Sequence, residues 1–504
     1  MSIATDLTDV LSFGRSRIFT DKEINSDTII PILTEALAVH NMNVAEMQRL
    51  IWYYLGNQDI LTRLPAYYSG VNNKVVINYA QSTVRDILGY TFGKDIEYIQ
   101  RGKASIEDVT EFSNIIESAD SSLEDTITAL FCSICGVGYQ CTLPSEDYNE
   151  DEPEIGIQVG HLDPRYTFVV QSYDFKNPVV LSCTFHKTKS KTVYTLYSRD
   201  TKYIVEYSSG TYKVTEEKPS KLGGNPITMV ENNHFLFGDF EPAITILDAI
   251  NKVASDSVND IENFVQALLV FINASLGETE KEKAQTRLNI KQNRMIEIKS
   301  PKGLTADAKY ITQQLNPEST KVIREYLEEC LWKVLGIPDR KTRGGGGGDT
   351  GDAVKLRDGW ADIETVARNK EKFFKKAKRQ QIARQLYLLK VIKKLPQTLK
   401  VTDIDIKFNR NKNDNLQTKS QSYSTLVSTK TIAPIDCLEI ADITTNTVEV
   451  IQRGEQYWRD KQEQQPVAEP VKSPLGKPKE QDTNGTGKQV SNVPQTPIQK
   501  KQGE

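Results

Sequence analysis

Apolar side chains recur every three to four positions through residues 28–62, with Ile29, Ile32, Leu33, Leu37, Met47, Leu50, Ile51 and Tyr54 on one stripe and a break at Gly56. That spacing predicts an amphipathic helix. The same period runs through residues 72–98 (Val75, Val76, Tyr79, Val84, Ile87, Leu88) and through Leu123, Ile127, Leu130, Phe131 and Ile134. The N-terminal part of the chain therefore reads as mainly helical. Between Ile155 and Val230 the period drops to two: residues 166–170, 179–185, 192–197, 203–207 and 212–214 alternate, and Ser208-Ser209-Gly210 separates the last two runs. Alternation broken by turn residues predicts an antiparallel meander, a β subdomain inserted in a helical chain.

A long amphipathic segment follows over residues 240–272, with Pro242 tolerated in its first turn. Its apolar face carries Ile246, Leu247, Ile250, Val253, Val258, Ile261, Phe264, Val265 and Leu268, while Lys252, Asp256, Asp260 and Glu262 stay on the polar side. Residues 273–313 are charged and broken, with a strand-like piece at 295–298. A second helix is signposted over 317–336. Asn316 can cap it, Pro317 suits its first position, and Gly336 with Pro338 ends it. Val322, Tyr326, Cys330 and Val334 recur at spacing four beside Ile323, Leu327, Leu331 and Leu335. Beyond it lie Lys341-Thr342-Arg343, the run Gly344, Gly345, Gly346, Gly347 and Gly348, and Asp349. Residues without a Cβ leave the backbone unrestrained, which predicts a loop that flexes between two rigid tethers. Residues 353–395 then read as one very long helix or two, 403–408 as a strand, and 414–430 and 434–464 as helices; from Pro466 a polar, Pro- and Gln-rich tail is expected to be disordered.

Composition changes this picture little. The 504 residues are 38% apolar and 26% charged with a net charge of -4, so no field of the whole molecule marks a nucleic-acid binder and any such role rests on local patches. One patch stands out: residues 365–400 hold twelve Lys and Arg against a single acid, Glu371. It is either a solvated helix face or a surface for phosphates. The longest apolar run near the middle, Ala267 to Ile272, is far below the ~18 residues of a membrane span. Residues 1–19 lack the apolar core of a signal peptide, so synthesis in the cytoplasm is expected. Cys132 and Cys135 have a metal-pair spacing, yet no second pair or His cluster accompanies them and they end an apolar helix, where cysteine acts as a small hydrophobe. The four histidines fall in no ligand or triad spacing. The glycine run is followed by Asp349 rather than by the Lys and Ser/Thr of a phosphate loop, and there is no GxSxG or HExxH. No catalytic residue, metal or cofactor is expected.

Several stretches, taken in order, resemble the portal proteins of tailed bacteriophages, in the siphophage branch. They are residues 52–63 (Trp52-Tyr53-Tyr54-Leu55-Gly56-Asn57-Gln58-Asp59), 72–79 (Asn72-Asn73-Lys74-Val75-Val76-Ile77-Asn78-Tyr79), 88–94, 225–233, and Asp239 to Gly277 with Asp248, Asp256, Asp260 and Glu262. The resemblance spans residues 45 to 460. It implies an α+β portal fold: a wing over 1–235 with its β-rich part at 155–230, stem helices over 240–272 and 317–336, an α/β clip over 273–313, a tunnel loop over 339–352, a long helix and return to the wing over 353–430, and a helical crown over 432–464.

The function implied is a ring of twelve subunits at one vertex of the capsid, the channel for packaging and ejection of double-stranded DNA. Partners would be further copies of the chain, the DNA in transit, the terminase large subunit, the head-tail adaptor, and the major capsid and scaffolding proteins; no membrane and no cofactor enters. The protein would reside in the virion. Lys341, Arg343, the five glycines and Asp349 would form the tunnel loop. Lys252, Asp256, Asp260 and Glu262 would line the channel or join neighbouring stems, and Leu247, Ile250, Phe264, Leu327 and Leu331 would pack the stem. The rival reading is a non-ring nucleic-acid binder using the basic helix 368–394.

Overall fold

The computed structural model describes residues 14–65, 71–102, 105–145, 156–265, 268–272, 279–293, 307–311, 317–338, 360–410, 416–429, 431–441, 443–444 and 447–463. In chain order its elements are β1 (Ile18–Thr20), α1 (Ile29–Tyr54), α2 (Tyr79–Thr91), β2 (Ile96–Gln100), α3 (Ile106–Ser118), α4 (Ser121–Cys135), β3 (Val137–Pro144), β4 (Ile157–Leu162), β5 (Thr167–Ser172), β6 (Val179–Lys187), β7 (Thr192–Tyr197), β8 (Thr201–Ser208), β9 (Thr211–Pro219) and β10 (Ile227–Glu231). There follow α5 (Ile244–Val265), β11 (Leu268–Ile272), α6 (Glu280–Asn293), β12 (Asp307–Ile311), α7 (Pro317–Leu335), α8 (Trp360–Val391), β13 (Ile404–Phe408), α9 (Leu416–Ser428), α10 (Pro434–Ile440) and α11 (Thr447–Glu463). The chain divides after Thr447 into two units, and the described part of the second is α11 from Val448 onward.

The expected meander is a six-stranded sheet in the order β1-β5-β6-β7-β8-β9, antiparallel except for β1, which adds in parallel to β5. Its inward residues (Phe168, Val170, Leu181, Cys183, Leu196, Val205) are buried against Ile29, Ile32, Leu33 and Leu37 of α1. Period-two and period-3.6 stripes thus meet face to face and bury one core. A second sheet, β10-β3-β4, joins α1, α2, α4, α5 and α7 in the largest core, around Leu50, Tyr53, Val84, Val137, Phe240, Leu247, Ile250 and Leu331. Burial of each large side chain there contributes on the order of 1.5–3 kcal/mol. Gly136 ends α4 at φ +81, and a Cβ on it would lie 1.8 Å from the Leu236 carbonyl oxygen. Only glycine lets the loop before α5 close down on that turn.

Three expectations change. Residues 71–78 are extended rather than helical, and 96–100 is a strand paired with β13. The segment 240–272 is not one helix: α5 ends at Val265, and the apolar run Leu268–Ile272 is a strand paired with β12. Four to six consecutive apolar residues fit a buried strand as well as a helix, so period alone could not decide. The segment 434–464 divides into α10 and α11. The 295–298 piece, the tunnel loop and the tail from 466 lie outside the described residues.

Candidate functional site: the paired helices α5 and α7

Helices α5 and α7 form an antiparallel hairpin. Leu247 and Ile250 near the start of α5 share a buried cluster with Leu331 and Leu335 near the end of α7, while the chain between the helices carries the β11–β12 pair at the other end. The core end is fixed by aromatic and polar contacts. Tyr53 stacks on Phe240 at 5.8 Å and donates its hydroxyl proton to Asp248 Oδ1 at 2.7 Å. Burial raises the Asp248 carboxyl above its ordinary value, and the bond from Tyr53 offsets part of the rise. On α7, Glu328 accepts from the Tyr79 hydroxyl at 3.0 Å, and Tyr79 meets Trp332 edge to face.

The extended segment 71–78 runs along α5 as a strap. The backbone N–H groups of Asn73, Val75 and Ile77 donate to Asn259 Oδ1 (2.7 Å), Ser255 Oγ (2.9 Å) and Asn251 Oδ1 (2.8 Å). Positions four apart on a helix rise about 6 Å, and positions two apart on an extended chain advance about 6.6 Å. The two periods match, so three polar side chains satisfy three successive inward N–H groups. This is why Asn251, Ser255 and Asn259 are buried in a helix face that otherwise reads apolar. The spacing-four polar row was present in the sequence; its partner, 180 residues away, was not legible there.

Away from the core the hairpin becomes exposed. Every residue from Lys321 to Tyr326 is exposed, including Val322 (61%), Ile323 (52%) and Tyr326 (64%), and so are Val258 and Ile261 on α5. Of the residues singled out as stem packing, Leu247, Ile250 and Leu331 are buried inside the subunit and Leu327 packs against the same cluster; the Phe264 side chain lies outside the described residues. Among the stem charges, Lys252 and Asp260 are exposed, Asp256 is paired with Arg63 at 2.6 Å, and Glu262 accepts from Asn73 Nδ2 at 2.6 Å. Within the same chain, Asp256 therefore holds Arg63 ahead of the strap and Glu262 holds Asn73 inside it. Lys341, Arg343, Gly344 to Gly348 and Asp349 lie outside the described residues.

The loop from Glu231 to Glu241 launches α5, and each of its carboxylates meets a cation from elsewhere. Arg15 pairs with Glu241 at 2.5 Å, both 2% exposed; Arg17 pairs with Glu231 at 2.5 Å; Lys370 of α8 pairs with Asp239 at 2.6 Å. Further along α8, Lys378 is 1% exposed and sits 2.5 Å from Asp125, which also accepts from Gln140 at 2.7 Å. Burial by itself lowers the Lys378 pKa, but Asp125 and Tyr98 more than reverse it and hold the ammonium above its ordinary value. Lys375 pairs with Glu371, Lys376 with Glu231, and Lys390 donates to the carbonyls of Gln397 and Leu399. Of the basic stretch 368–394, Arg368, Lys372, Lys376 and Arg379 are exposed along one stripe of α8. Lys370 and Lys378 leave that stripe for the interior, and within it Arg368 pairs with Glu364 and Lys376 with Glu231.

Cys132 and Cys135 are buried thiols, the Cys135 pKa pushed up to about 12 by burial. His40 is buried with Nε2 3.1 Å from the Arg165 carbonyl, and burial brings its pKa down from 6.5 to about 4. Among the described residues no group of three or more His, Cys, Asp and Glu is placed to hold a metal ion, and no helix is long and apolar enough to cross a membrane.

A hairpin anchored in a core of helices and sheets and projecting an exposed end is an α+β architecture. The family described as "Phage portal protein, SPP1 Gp6-like" matches residues 34–463. The chain belongs to that family of phage portal proteins. Among solved structures it is similar to a chain of the neck of an empty GTA particle computed with C6 symmetry, at 10% identity and a TM-score of 0.43, covering 72% of this chain and 90% of that one. Among curated proteins nothing matches.

Proposed function

We propose that the protein assembles into a ring of twelve at the capsid vertex and forms the channel through which double-stranded DNA is packaged and ejected. The observation that carries this reading is the exposed half of the α5–α7 hairpin. A helix with Val322, Ile323 and Tyr326 all in solvent has an apolar surface that its own subunit does not cover, and a portal subunit would cover it with a neighbour.

In this ring α5 and α7 form the stem, and β11, α6 and β12 at its far end form the clip that meets the terminase large subunit and later the head-tail adaptor. The loop at 339–352 reaches the DNA, with Lys341 and Arg343 beside the glycines so that phosphate attraction stays weak and transport is not stalled. Lys252 and Asp260 face the channel or the next stem. The wing meets the capsid and scaffolding proteins, and the protein resides in the virion.

Light scattering and negative-stain imaging of the purified chain test the ring. A particle near twelve times 56.8 kDa with a central hole is expected; a monomer that binds DNA in a salt-sensitive way would overturn it. Replacing Gly344 to Gly348 with a Pro-rich run should leave rings intact and lower the yield of packaged DNA, and an unchanged yield would remove the tunnel-loop role.

A further inference from the structure

Closed rings of one chain use head-to-tail contacts, which require two different surfaces on each subunit, related by rotation without a rise. The hairpin carries two such surfaces. The first is Val322, Ile323 and Tyr326 on α7. At about 100° per residue these three centre roughly 140° around the helix from Leu327, Leu331 and Leu335, the residues that face the core, so they point away from α5. The second is Leu61 (38% exposed) and Leu64 (82% exposed) on either side of Arg63, which is held to α5 by Asp256. Asp256 lies roughly 150° around α5 from Leu247 and Ile250, which share the buried cluster with Leu331 and Leu335 of α7. The two apolar patches therefore leave opposite flanks of the hairpin.

They also lie at one level. Counted from Ile250 and Leu331, which belong to one buried cluster, Asp256 is about 9 Å along α5, and Tyr326 and Val322 are about 7.5 and 13.5 Å along the antiparallel α7. With the hairpin running along the ring axis, a contact between patches at equal height closes on itself, whereas a contact between unequal heights would climb into a filament.

We infer that Val322, Ile323 and Tyr326 of one copy seat against Leu61 and Leu64 of the next, and that this contact closes the ring. The inference rests on the ring reading above and assigns its interface. Mixing two defective chains tests it. Tyr326→Asp disables one patch and Leu64→Asp the other, both at exposed positions, and unchanged circular-dichroism melting verifies that each folds; Val322→Asp and Leu61→Asp replace either one that does not. With wild-type rings in hand, each variant alone is expected at 56.8 kDa and their equimolar mixture at twice that mass and no more, because one intact patch of each kind remains. Rings from either variant alone, or no pairing in the mixture, would overturn the interface while leaving the ring reading standing. A wild-type chain that never exceeds a monomer would overturn both.

Discussion

Helix α7 carries the apolar spacing of a core helix yet leaves Val322, Ile323, Tyr326 and Val334 in solvent, while α8, with nine Lys and Arg in 32 residues, places Lys370 and Lys378 in the interior. The difference lies in what each helix meets. α8 crosses β3, β4, β10, β13 and α2, whose loops and neighbours supply Asp239 and Asp125; α7 meets α5 over its last turns and projects beyond them. A charged side chain enters a core when a carboxylate waits for it, and an apolar one stays in solvent when its own subunit has nothing to place there. Side-chain type alone decides neither.

Four changes break or sharpen this contrast. Asp125→Ala leaves the Lys378 ammonium buried without its partner and is expected to cost about 3–5 kcal/mol in urea unfolding; the pair Asp125→Leu with Lys378→Met should recover most of it, and a single variant as stable as wild type would show that α8 is not held by this pair. Leu331→Ala opens a cavity at the core end of α7 and should cost about 2–5 kcal/mol, whereas Val322→Ala at the exposed end should change the melting of the isolated subunit by no more than ~0.5 kcal/mol. Equal effects at the two positions would erase the gradient along the hairpin.

The third change concerns His40, buried between α1 and the six-stranded sheet. Its pKa is depressed in the folded state, so between its ordinary 6.5 and about 4 the unfolded chain binds a proton that the folded chain does not. Stability is full above pH 6.5 and declines as the pH falls toward 4, by up to about 3 kcal/mol. His40→Leu should flatten that limb of the unfolding profile, and an unchanged limb would assign it to other groups. The smallest effect is expected at the strap: Asn251→Ala leaves the Ile77 N–H without its acceptor, costs about 1–3 kcal/mol, and should speed hydrogen exchange at Ile77 while the exchange of α8 stays as it was.

Much of the architecture was legible. The period-two run at 192–197 is β7 without adjustment, and the cap and stop signals Pro317 and Gly336 bound α7 to the residue, because turn chemistry and alternation are local properties of the backbone. The strap was missed for a physical reason. Val75 and Val76 fit a helical stripe, but Asn251, Ser255 and Asn259 offer acceptors at a matching pitch and draw out the N–H groups that a helix would have used internally. The junction beneath α5 was missed likewise, since Arg15 and Glu241 are 226 positions apart.

By itself the sequence determined the strands of the meander and the bounds of α7, that a β meander interrupts a helical chain, that a glycine run follows the second long helix, and the family resemblance that the match over 34–463 upholds. Only the tertiary structure decided which polar groups are buried and which apolar ones are left over. Arg15, Lys370, Lys378 and Asn251 are inside because partners distant in sequence compensate their desolvation, and Val322, Ile323 and Tyr326 are outside because the hairpin projects past the layer that could cover them. Propensity acts over a few residues, whereas desolvation is settled by the whole surroundings of a group, and those exist only once the chain has folded.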